Sequence, residues 1–143
     1  MNDIIELKNL LSSMNKILSK LLEVENEKTA VLEKGSVEVL NTLINAEQAL
    51  IMECSAAEKQ RTKLCNRLEV QSVTELFEKI PEAENNIRPV YIDMFNIIKK
   101  IKKISGLNMK LLDTRLKIVK FMTSQLGVSE ENQTYSKKAQ IIN

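Results

Sequence analysis

The sequence predicts an all-α fold: an elongated antiparallel bundle of three long helices plus a short helix, with coiled-coil-like packing. Three observations lead there. Apolar residues recur at alternating spacings of three and four over most of the chain, the period of a helix face and not of a strand. The 143 residues include 3 Gly and 2 Pro, too few turn formers for a sandwich or barrel. Aromatic residues make up 3% of the chain and Trp is absent, so the core is aliphatic. A chain of this length suffices for one core. Residues 1–127 are expected to form a helical bundle domain, and 128–143 a disordered C-terminal tail.

The first helix is expected from about Asp3 to Lys34. Its seam reads Ile4, Leu7, Leu11, Met14, Leu18, Leu21, Glu25, Lys28, Leu32, with Leu10, Ile17, Val24 and Val31 beside it. That stripe is wider than a two-stranded coiled coil needs and suits a helix touching two neighbours. Gly35 supplies the C-terminal stop, and Ser36 is placed to cap the second helix. Gly35-Ser36 either reverses the chain or kinks one very long helix. Reversal is preferred, because both stripes then find cover within one chain.

The second helix repeats the rhythm at Leu40, Leu43, Glu47, Leu50, Cys54, Ala57, Arg61, Leu64 and Leu68, with no Pro or Gly from Val37 to Val70. Ser72-Val73-Thr74-Glu75 fits a capping box that starts a short helix running to about Ile80, where Pro81 stops it. Glu82 to Arg88, with Asn85-Asn86, reads as a loop, and Pro89 as a first-turn residue of the last helix. That helix is expected to run to Leu126, before Gly127. Its seam is Met94, Ile98, Ile101, Ser105, Asn108, Leu112, Arg115, Val119, Met122 and Leu126. Gly106 lies inside it, at a cost of about 1 kcal/mol of helix propensity relative to Ala. From Leu107 to Leu126 the apolar surface wraps more than half of the helix, with Leu107, Met109, Leu116 and Phe121 off the seam. Such a surface is either buried between the other helices or left for a partner helix, and self-association through it is a third outcome.

Composition narrows the chemistry. The chain has no His, which removes His-based triads and most catalytic zinc sites. Cys54 and Cys65 are too few for a metal site and read as packed thiols, and no Gly-rich phosphate loop occurs. No catalytic residue, metal or cofactor is expected. No run of about 18 apolar residues occurs, and the charges of Asp3, Glu6 and Lys8 interrupt any signal-peptide-like start. The expected compartment is the cytoplasm, without membrane insertion.

Charge is split along the chain. Residues 1–87 carry 10 Lys and Arg against 15 Asp and Glu, and residues 88–143 carry 11 against 4. The run Lys99, Lys100, Ile101, Lys102, Lys103 lacks the interleaved aromatics of a nucleic-acid site. It reads as a solvated face or as a contact to the acidic first two helices. The polar residues that interrupt the seams, Glu25, Lys28, Glu47, Arg61, Ser105, Asn108 and Arg115, are expected to form interhelical ion pairs and hydrogen bonds that fix register.

The order of elements resembles the flagellar export chaperones of the FlgN family. The residues that carry the resemblance are Glu27, Leu32, Gly35-Ser36, Glu47-Gln48, and Glu58 with Arg61. In the last helix and tail they are Asn108, Leu111-Leu112, Leu116, Val119, Met122 and Thr134-Tyr135. The family usually places a Gly soon after the Tyr, where this chain has Ser136-Lys137-Lys138-Ala139. The resemblance implies a cytoplasmic chaperone that holds the terminal helical segment of hook–filament junction proteins before type III export. It implies a cargo contact at Asn108, Leu111, Leu112, Leu116, Val119 and Met122, and a contact of Tyr135 with the export gate. The competing reading is a structural helical bundle that self-associates without cargo.

Overall fold

The computed structural model describes residues 2–126, and the expected tail 128–143 lies outside the described residues. Helix α1 spans Asn2–Lys34. Its expected seam is the buried one at all nine positions, from Ile4 to Leu32 and including the charged Glu25 and Lys28. Gly35 takes φ 80, the left-handed conformation that glycine adopts without strain, and its N–H returns to the Val31 carbonyl at 2.8 Å. The chain therefore reverses. Ser36 occupies the N-cap of α2 (Val37–Arg67) in extended conformation, but its side chain makes no capping bond.

Helix α2 runs antiparallel to α1. Arg67 reaches Glu6 at 2.9 Å and Asp3 at 3.3 Å at one end, and Lys28 reaches Glu47 at 2.9 Å near the other. The helix ends where its seam does, at Leu68. Leu68 caps the helix, Glu69 adopts φ 58, and the Val70 N–H returns to the Cys65 carbonyl at 2.9 Å. This left-handed ending is normally taken by Gly. Here burial of Val70 and Cys65, 3% and 2% exposed, holds the chain in it.

Helix α3 (Val73–Lys79) begins at the expected capping box. Ser72 Oγ accepts from the Glu75 N–H at 3.1 Å, and Glu75 Oε2 accepts from the Gln71 N–H at 2.9 Å. That backbone bond holds the Glu75 carboxyl below the usual carboxylate range.

Helix α4 is continuous from Pro81 to Leu126, and the loop expected over Glu82 to Arg88 is a correction. Pro81 is the first residue of α4, and Pro89 sits inside it. An interior proline removes a helical hydrogen bond and disfavours the helix by about 3 kcal/mol. Burial outweighs it: Ala83 and Ile87 are 1% and 0% exposed and extend the three-four spacing from Ile80 to Met94. Helix α4 runs parallel to α1. Asn15 Nδ2 donates to the Val90 carbonyl at 3.1 Å, and Leu116 packs near the end of α1 against Leu32.

The three long helices are not equivalent. α1 is the central rod, with α2 and α4 packed along it, α3 packed on α4, and little direct contact between α2 and α4. One apolar cluster runs from Ile4 through Leu7, Leu11 and Leu21 to Leu64, Leu76, Ile87 and Met94. A second consists of Leu32, Leu112 and Leu116, with Leu40 and Leu111 at its margin. Among the described residues no helix is long and apolar enough to cross a membrane.

Candidate partner-binding site

The two clusters are separated by a polar layer that ties all three long helices together. From α1, Glu25, Lys28 and Thr29 enter it, from α2 Glu47, and from α4 Asn108. Asn108 Nδ2 donates to the Glu25 carbonyl and to Glu25 Oε2, both at 2.9 Å. Thr29 Oγ1 donates to Asn108 Oδ1 at 2.6 Å. Lys28 Nζ lies 2.9 Å from Glu47 Oε2 and 3.7 Å from Glu25 Oε1. Glu25, Lys28 and Asn108 are 2%, 5% and 3% exposed, so each needs its partners to offset desolvation. The register role expected of the seam polars is met by these residues. Arg61 departs from it: it pairs within α2, its Nε 2.9 Å from Glu58 Oε2, and so fixes no neighbour. The guanidinium holds the Glu58 carboxyl below its ordinary range.

Beyond this layer lies the end of the bundle, closed by three buried leucines. Leu112 and Leu116, both 8% exposed, meet Leu32 at 3%, with Leu111 half-buried beside them. The sequence-expected partner contact therefore divides. Asn108, Leu112 and Leu116 face inward, Leu111 lies at the margin, and the side chains of Val119 and Met122 fall outside the described residues, as does Tyr135. Leu107 and Met109 are exposed at 46% and 57%. Helix α4 continues ten residues past Leu116 to Leu126, about 15 Å of rise, whereas α1 ends two residues after Leu32.

One feature escaped the sequence reading. The apolar seam does not reveal that a polar layer splits it into a large and a small cluster, although Glu25, Lys28 and Asn108 were visible as interruptions. Of the two readings of the lysine run, the solvated face holds: Lys99, Lys100, Lys102 and Lys103 are exposed and make no ion pair to α1 or α2 among the described residues. Elsewhere, an open groove of about 490 Å³ between α1 and α2 is lined by Glu6, Leu10, Lys63 and Arg67, and its Glu6 and Arg67 pair with each other. Among the described residues no group of Cys, Asp and Glu is arranged to hold a metal ion. Both cysteines are free, and burial pushes the Cys54 thiol up.

Comparison with known proteins gives one family and one relative. Residues 1–141 match the family described as FlgN protein. The chain is 24% identical over 122 residues to the uncharacterized protein YvyG of Bacillus subtilis (strain 168), a match that spans 82% of this chain and 76% of that protein. No solved structure matches.

Proposed function

Because this chain belongs to the FlgN family of flagellar export chaperones, we propose that it is a cytoplasmic chaperone for hook–filament junction proteins. It binds their terminal helical segment, prevents premature assembly and delivers them to the type III export gate. The observation that carries this reading is the small apolar cluster beyond the polar layer. A cargo helix has one apolar face that aggregates when bare. It meets Leu107, Met109 and Leu111 first, then takes the place of the α1–α2 tip against Leu112 and Leu116, and continues along α4 past Val119 and Met122.

Energetics favour such an exchange. Opening the tip uncovers Leu32, Leu112 and Leu116, at about 1.5–3 kcal/mol for each side chain fully exposed. Cargo covers the two on α4 again, so the net cost falls mainly on Leu32. The large cluster from Ile4 to Met94 lies on the other side of the polar layer and stays closed. Local opening of a thinly packed end below the global unfolding free energy is ordinary behaviour for proteins. Ordering a flexible cargo terminus subtracts from the gross affinity, which aids release. Tyr135 serves as the contact with the export gate.

The test combines light scattering with hydrogen exchange, using a synthetic peptide of a hook–filament junction protein terminus. The chaperone reading predicts a hetero-complex of defined mass, with protection gained over residues 108–116 and none lost around Leu7 and Leu11. A mass that rises with the chain's own concentration and ignores the peptide would establish the self-associating bundle instead.

A further inference from the structure

The side of α4 turned away from α1 carries a second seam. Ile92, Phe95, Lys99, Lys102, Gly106 and Met109 recur at three- and four-residue spacing, the rhythm of a helix contact, and all are exposed or half-exposed. Ile92, Phe95 and Met109 are 44%, 56% and 57% exposed, and Lys99 Nζ sits 5.5 Å over the Phe95 ring.

Two local penalties meet on this face without a compensating ion pair among the described residues. From Met94 to Leu112 there are five lysines and no Asp or Glu. Lys99 with Lys103, four residues apart, and Lys99 with Lys102, three apart, set like charges side by side. None of the five makes an ion pair among the described residues. At the centre stands Gly106, a poorer helix former than Ala. A Cβ added there meets nothing within 4 Å, so the fold itself does not require glycine at this position.

We propose that this face docks a carboxylate-rich helix of a partner protein, which crosses α4 most closely at Gly106. A missing Cβ shortens the distance between two helix axes at their crossing point, and glutamates on either side of the crossing meet Lys99, Lys102, Lys103 and Lys110. A second copy does not fit. Pairing this face with itself opposes lysine to lysine, and pairing it with the acidic α1–α2 side of another copy is heterologous and builds rings or open chains rather than a pair. Nucleic acid gains nothing from Gly106 and finds no Arg between Pro89 and Thr114. A bilayer surface has no ridge that needs the space of a missing side chain. The docking goes beyond the cargo reading and does not depend on Leu112 or Leu116.

The test uses a fluorescein-labelled amphipathic helical peptide with alanine at its centre and glutamates flanking it, titrated by anisotropy at low and moderate salt. Binding to the full chain is expected, weakening with salt and falling at least about tenfold when the glutamates are glutamines. Gly106→Ala is expected to raise the melting temperature while weakening peptide binding about tenfold. Lys99→Glu combined with Lys103→Glu is expected to abolish binding while leaving capture of the cargo-terminus peptide intact. The proposal fails if the acidic peptide does not bind, or if the neutral peptide binds equally. It also fails if Gly106→Ala leaves binding unchanged or lowers the melting temperature. Tighter binding to phosphatidylglycerol vesicles or to duplex DNA, insensitive to Gly106→Ala, assigns the lysines to that ligand and overturns it as well.

Discussion

Lys28→Ala is expected to lower the stability of the chain by about 3–5 kcal/mol, the loss typical of removing one partner from a buried ion pair. Lys28 is 5% exposed and stands between two carboxylates, Glu47 at 2.9 Å and Glu25 at 3.7 Å. Without it, Glu25 remains buried at 2% exposure beside Glu47 with no cation to offset the desolvation of either. Set against a usual domain stability of about 5–15 kcal/mol, the loss is large. Urea denaturation measures it, with an unchanged slope if the unfolded state is unaffected. Replacing Glu25, Lys28, Glu47 and Asn108 together by leucine is expected to restore stability or exceed it, because a well-packed apolar layer matches a buried charged one. A loss below about 1 kcal/mol for Lys28→Ala would mean that the pair behaves as an exposed one.

Leu112→Asp combined with Leu116→Asp is expected to weaken cargo capture by about 100-fold or more, some 2.7 kcal/mol. Both leucines are 8% exposed, and aspartate at either position places a charge where an apolar cargo face, or Leu32 in the free chain, has to pack. The small cluster will open in this variant. The large cluster shares no residue with it and is expected to keep most of the helicity by far-ultraviolet circular dichroism. Collapse of helicity throughout the chain would show that Leu112 and Leu116 hold the whole bundle together.

The legible parts of this fold are those where a single periodic signal decides. Every seam position of α1, Glu25 and Lys28 included, is buried as its spacing implies. Gly35 at φ 80 is the reversal that a glycine between two apolar stripes suggests. The first turns of α4 were illegible because local and tertiary forces disagree there. Asn85, Asn86 and Pro89 disfavour a helix, and the burial of Ala83 and Ile87 imposes one. The left-handed turn after α2 was hidden because its residue is Glu69, which carries no turn signal. At the candidate site, spacing put Leu112 on the seam of the last helix and Leu116 off it, although both are buried against Leu32, and it did not say whose surface covers them. That depends on α1 being the central rod, and the stripes of the three long helices look alike in sequence.

Leu32 is the decisive position for the exchange, because it covers Leu112 and Leu116 in the free chain and belongs to the tip that cargo displaces. Cargo-peptide affinity of Leu32→Ala, measured by calorimetry beside Leu112→Ala, separates the two roles. Removing Leu32 relieves an intramolecular competitor, so capture is expected to tighten by several-fold up to about tenfold, while Leu112→Ala weakens it. Equal weakening by both substitutions would contradict the exchange and reduce the three leucines to a core whose integrity binding merely requires.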